Sequence, residues 1–235
     1  MVSDGAKQVL PDQHPAAAAQ IRDASTIILL RETAQGPSVL MGQRGAGAVF
    51  MPSKFVFPGG AVDSDDASVV FSDPLNALCT HRLALETDAA RATAHPNALA
   101  AAALRELFEE TGLPLGPRAS WPAASGPASA APLHFVFRAI TPKGRPRRFD
   151  ARFFIADAAR IDADPDDFSR AEDELSHLHW VPITEARGLN LPFITEVVLA
   201  EVSAVLAKTG GHSADPDGVP FFDNSTDIAR FRRLI

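Results

Sequence analysis

Three glutamates crowd five positions at Glu106, Glu109 and Glu110, in the stretch LRELFEETGL (104–113), with no lysine beside them. The stretch reads as a helix. At ~100° per residue, Leu104, Leu107, Phe108 and Thr111 share one side, and the three glutamates share the other. A solvated acidic face has that pattern. However, Glu106 and Glu110 are four apart and repel by roughly 0.2–0.5 kcal/mol, and neither Glu109 nor Glu110 has a cation four residues later. A divalent cation removes that repulsion. Carboxylates at i, i+3 and i+4 converge above a helix, and hard oxygen ligands suit Mg²⁺ or Mn²⁺. Upstream, FVFPGG (55–60) reads as a short strand ended by proline and two glycines. Glycine there lets backbone approach another group closely.

These residues need a scaffold. STIILL (25–30) and SVLMGQ (38–43) read as a strand pair around a Gly-Pro turn. HFVFRAIT (134–141) and ARFFIA (151–156) read as strands around a basic turn, and LHWVPI as another short strand. Residues 67–97 have a loose helical period broken at HPN, with Asn97 as a cap for the glutamate helix and Gly112 as its end. Residues 192–208 predict an amphipathic helix, and 114–132 a loop. The last 25 residues show little pattern. Irregular alternation of strands and helices predicts α/β layers around one mixed sheet.

Composition excludes several classes. The net charge is −7, against a general nucleic-acid binder. A lone cysteine, Cys79, leaves no intrachain disulfide and no cysteine-based zinc cluster, and fits a reducing, cytoplasmic setting. No apolar run approaches the ~20 residues of a membrane span, and the start has no apolar core of a secretory signal. Arginine and alanine abundance suggests a GC-rich bacterial genome.

The carboxylate stretch and FPGG together resemble the Nudix hydrolase family. Its box runs Gly, five residues, Glu, seven residues, then Arg-Glu-aliphatic-x-Glu-Glu-x-Gly-aliphatic. The second half is complete, from Arg105 to Leu113. The first half maps from Gly60, with Asp66 where the family has its isolated glutamate. Between Asp66 and Arg105 lie 38 residues where the family has seven, so the box is split by about 31. The resemblance implies an α/β/α sandwich around a mixed sheet, with a helical insertion (67–97) inside the box and a C-terminal helix. The expected organisation is a flexible tail at 1–20, a Nudix domain at 21–190 and a helical extension packed on it at 191–235.

The family cleaves a diphosphate linked to another moiety, by water attack with divalent cations on the diphosphate. Glu106 and Glu110 match its usual metal ligands, and Glu109 a ligand or water-activating residue. Arg105 matches the arginine that orients a glutamate, and the backbone near Gly60 often completes the site. RAEDELSHLHWVPITEA (170–186) resembles the stretch that can supply a further carboxylate. Glu174, six residues before Trp180, is the candidate ligand or base, with Glu172 in reserve. His177 and His179 alternate onto one face of an edge strand, as packed or solvated residues rather than ligands.

VLMGQRGAGAVFMPSKFVFPGG (39–60) resembles the region before the box in coenzyme A diphosphatases. Arg44 matches that branch's arginine and is expected to bind substrate, whereas Val49 and Ser53 replace its second arginine and a glycine. The substrate implied is coenzyme A or an acyl ester of it. ADP-ribose, NADH or a dinucleotide is the alternative, and a non-catalytic ligand-binding domain a further one. Within the basic turn, Arg145 and Arg147 are expected to face substrate, with Arg148 structural and held by Asp150. A small-molecule nucleoside diphosphate partner, no nucleic acid, no membrane and a homodimer complete the expectation.

Overall fold

The computed structural model describes residues 19–88, 90–116 and 128–235. The expected tail lies mostly at 1–18 and the expected loop mostly at 117–127, outside the described residues. Strand β1 (Ile21–Thr33) turns through Ala34 and Gln35 into antiparallel β2 (Gly36–Arg44). Gly36 and Pro37, expected in the turn, are already paired in β2. The run IILL (27–30) is apolar at successive positions because β1 is covered on both faces. Ile27 and Leu29 enter one core, Ile28 and Leu30 the other.

One edge of β1 pairs in parallel with β6 (Arg148–Asp157), from Ile21 to Leu30. The other edge is divided. β2 takes the half from Leu30 to Thr33, and the glycine strand β4 (Gly59–Ala61) takes Ala24 to Thr26. The two glycines expected to end a strand thus form one. β3 (Phe55–Val56) pairs with β2 just before them. The sheet forks at this edge of β1, and the fork is where the acidic helix docks.

β5 (His134–Ile140) pairs antiparallel with β6, and β7 (Leu175–Pro182) with β2. The sheet has nine strands in mixed orientation. The glutamates lie on α2 (Pro96–Thr111), which packs on one face with α1 (Ala77–Ala84) of the insertion. After the short helix α3 (Ile183–Ala186), α4 (Phe193–Thr209) covers the other face through Val198, Leu199, Val202, Val205 and Leu206. This is an α/β/α sandwich. Among the described residues no helix is long and apolar enough to cross a membrane.

Two local expectations are corrected. Asn97 lies inside α2. His95 is the capping position and Pro96 opens the helix, where a missing N–H leaves nothing unsatisfied. Gly112 does end α2, at φ +75°. Residues 191–235 are helical only through α4, because β8 (Val219–Asp223) and β9 (Arg230–Leu234) follow and extend the sheet beyond β5. Three arginines obscured β9 in sequence. Arg232 is neutralised by Glu86 and Asp223, and Arg233 by Glu201. The insertion is helical at α1, with a further 3-10 turn at 92–94.

Candidate active site

The glycine strand presents its backbone to α2, which meets it through the Glu106 and Glu110 carboxylates. A Cβ on Gly59 would lie 2.5 Å from the Ser25 carbonyl oxygen, and one on Gly60 would overlap the Glu106 carboxylate. Gly59 is closed to any side chain by backbone, whereas at Gly60 a side chain would displace the Glu106 carboxylate. The Gly59 N–H donates to Glu110 Oε2 at 2.7 Å. Glu110 is 2% exposed, and its Oε1 is buried without a hydrogen-bond partner among the described residues. The two-sided helix read from sequence is therefore corrected. Glu110 is not on a solvated face, because the glycine strand closes over it. Phe108, assigned to the apolar side, is instead half-exposed under the Arg170 guanidinium.

Arg105 gathers the remaining carboxylates. Its Nε and Nη2 donate to the two oxygens of Asp66, each at 3.0 Å. Nη1 donates to Glu106 Oε1 and Glu109 Oε2, each at 2.9 Å, and Nη2 also donates to the Ala61 carbonyl. Asp66 is buried in the 3-10 turn and accepts from the Asp63 N–H as well. One guanidinium thus joins the 3-10 turn at Asp66 and the glycine strand to α2, and fixes the rotamers of two glutamates.

The charges on this cluster are incompletely balanced. Burial pushes Glu106 up to about 7, with Arg105 opposing and Glu109 and Glu174 adding to the rise. Burial raises Glu110 well above the carboxylate range, against the Gly59 N–H, and Glu106 and Glu174 add to it. For Arg105, burial alone would favour the neutral form, but Asp66 and Glu106 outweigh it and raise its pKa.

The second carboxylate source comes from the loop before β7. The Glu172 N–H donates to the Glu109 carbonyl at 2.9 Å, which ties this loop to the end of α2. Glu174 is exposed and accepts from Arg44 Nη2 at 2.9 Å. Arg44 and Glu174, proposed separately from sequence, therefore meet, with Glu174 close enough to raise both Glu106 and Glu110. His177 and His179 are both exposed, with His179 Nδ1 2.6 Å from the His177 carbonyl oxygen.

Arg145 and Arg147 are exposed on the β5–β6 turn and join none of the hydrogen bonds of the cluster. Arg148 is buried and structural, but Asp150 does not hold it. Arg148 donates to the carbonyls of Thr141 and Asn224, whereas the Asp150 carboxylate is taken by a fork from Arg138, with both contacts at 2.9 Å. Arg138 reaches it because β5 pairs antiparallel with β6 there.

Among the described residues no three acidic, imidazole or thiol groups already stand in chelating positions. Arg105 occupies one oxygen each of Glu106 and Glu109. That arrangement still fits a small hard cation, which characteristically takes one or two carboxylates and completes its shell with water and substrate phosphate oxygens. The orphaned Glu110 Oε1 beside Glu106, whose Oε1 alone is held by Arg105, is such a half-built donor set.

Residues 96–201 match the NUDIX domain family model. The match begins at the first residue of α2. The chain is 29% identical over 183 residues to a Caenorhabditis elegans protein named as a nudix hydrolase (number 7), covering 68% of this chain and 51% of that one. It thus spans about half the length of that curated relative. Among solved structures, a NUDIX hydrolase from Alicyclobacillus acidocaldarius superposes with a TM-score of 0.61 at 26% identity, covering 80% of this chain and 93% of the other.

Proposed function

We propose that this chain hydrolyses the diphosphate of a nucleoside diphosphate linked to another moiety, using Mg²⁺ or Mn²⁺. One observation carries the reading: a buried glutamate, Glu110, pinned to the glycine strand by one oxygen, presents the other without a partner next to Glu106. Glu106 and Glu110 would hold the ion, with the backbone at Gly60 and with Glu109 beside them. When bound, the ion supplies the positive charge that a diphosphate needs against a carboxylate-lined site.

The chain's own residues then divide the work. Arg105 sets the direction of Glu106 and Glu109. Glu174, exposed and held by Arg44, and Glu109, half-exposed and held by Arg105, would be the carboxylates that take a proton from attacking water. Arg44 contributes by positioning Glu174. Arg145 and Arg147, exposed on the β5–β6 turn, provide cations for an anionic part of the substrate remote from the scissile bond.

The substrate we propose is coenzyme A or an acyl-coenzyme A, supported by the sequence resemblance of residues 39–60. The test is product release with Mn²⁺ from coenzyme A, acyl-coenzyme A, ADP-ribose, NADH and diadenosine polyphosphates, with Glu110→Gln as control. Hydrolysis of coenzyme A compounds above the others is expected. A higher kcat/KM for ADP-ribose or a dinucleotide would reassign the substrate. Metal-independent turnover, or none with any compound, would overturn the hydrolase reading.

A further inference from the structure

The insertion that splits the motif ends in residues that grip the sheet beneath the site. Arg91 and Thr93 both bond the carboxylate of Asp23 in β1. Arg91 Nη2 reaches Oδ1, and Thr93 Oγ1 donates to Oδ2 at 2.6 Å. Arg152 Nη1 donates to Oδ1 at 2.7 Å from the neighbouring strand β6. Asp23 is buried, as are Asp150, Arg138 and Arg152 behind it. Burial would raise the Asp23 carboxyl, but the bonds from Thr93 and Arg91 and the charge of Arg152 hold it below the usual range.

Asp23 is also the residue from which the glycine strand departs. Its carbonyl accepts from the Val62 N–H at 2.9 Å. The next three residues of β1 pair with Ala61, Gly60 and Gly59 in turn. Ala61 carries the carbonyl that holds Arg105, and Gly59 the N–H that holds Glu110. Two short chains of bonds therefore run from the insertion to the site. One passes from Arg91 through Asp23, Val62 and Ala61 to Arg105, and the other continues along β4 to Glu110.

We propose that the insertion is a brace for the catalytic carboxylates, with Arg91 and Thr93 as positioning residues acting through Asp23. Their bonds fix the height of β4 against β1, and β4 sets where Arg105 and Glu110 are held. The insertion has other attachments: Arg82 donates to the Pro216 and Asp217 carbonyls, and Arg232 pairs with Glu86. Those secure it to the C-terminal segment without touching Asp23, so the bracing role belongs to its last turn alone.

The consequence for catalysis rests on the hydrolase reading, but the first readout does not. Amide hydrogen exchange measured residue by residue should quicken at Gly59, Gly60, Ala61 and Val62 by at least about tenfold in Arg91→Ala and Thr93→Val, relative to amides of residues 153–156. Arg91→Lys should recover most of the protection. Arg232→Ala, which loosens the insertion at its outer attachment, should leave 59–62 unchanged. Mn²⁺ affinity of the full chain should fall in Arg91→Ala and not in Arg232→Ala. Unchanged exchange at 59–62 in Arg91→Ala would overturn the brace. Should that variant fail to fold, Thr93→Val decides, and a uniform rise or none at 59–62 refutes the proposal. A chain that binds no Mn²⁺ and turns over nothing would still answer the exchange experiment, separating this failure from failure of the hydrolase reading.

Discussion

Stability of the metal-free protein should fall as pH rises through neutrality, because the site holds carboxylates that the fold does not want charged. Glu106 has a folded-state pKa of about 7 against an ordinary 4.5, owing first to burial. Between those values the folded protein binds more protons than the unfolded chain, so stability decreases with pH. The contribution is fully present below about pH 4.5 and gone above about pH 7. The shift corresponds to about 3 kcal/mol from this group. Glu110 is raised by the same burial and each carboxylate raises the other, so the loss belongs to the pair. Urea titrations of the chelator-treated protein at about pH 5 and about pH 8, with and without Mg²⁺, measure it. Glu106→Gln keeps an acceptor for Arg105 and removes the charge. It should be more stable than the parent at about pH 8 without metal, by 1 to about 3 kcal/mol, and nearly equal at about pH 5. Added Mg²⁺ should stabilise the parent more at the alkaline end than at the acidic end. Parent stability that is flat or rising over this interval, with Glu106→Gln no better at about pH 8, would refute the claim that an uncompensated charge is stored here.

Other perturbations follow from the same geometry. Glu110→Gln should fold and keep the Gly59 contact, yet lose at least ~10²-fold in turnover at saturating Mg²⁺, which steady-state kinetics can check. Gly60→Ala puts a methyl into the Glu106 carboxylate, so Mn²⁺ affinity measured by calorimetry should drop with little change in far-ultraviolet circular dichroism. Burial pushes the Cys79 thiol up to about 12, so the native protein should resist a thiol reagent at neutral pH and react once unfolded. Alanine at Arg145 and Arg147 should erase a preference for coenzyme A over dephospho-coenzyme A, worth ~1.5–3 kcal/mol for a charged hydrogen bond. Equal kcat/KM for both compounds in the unmodified chain would remove that role.

The local chemistry was legible from the linear chain. Glu106, Glu109 and Glu110 with Arg105 are spaced by helical geometry, which depends only on neighbours a turn away. The same holds for the end of α2 at Gly112, whose φ of +75° suits glycine, and for the alternation-free run of β1, which implies burial on both faces. The pairing of Asp66 with Arg105 was not read from the sequence, because 38 residues separate the two and only the fold returns the chain to Asp66.

Only the tertiary structure decided which glutamate is buried. Helical period alone put Glu110 with its acidic neighbours, but the glycine strand lies over that flank and leaves one oxygen orphaned. It likewise decided that Arg44 meets Glu174, and that Asp150 serves Arg138 rather than Arg148. The β8–β9 hairpin was hidden because its arginines mask the strand pattern, and their partners Glu86 and Glu201 are distant in sequence. Nor did any spacing announce that Arg91 and Thr93 reach Asp23, some seventy positions away. Contacts of that range depend on how strands order in the sheet and where an insertion returns, and no local periodicity carries that information.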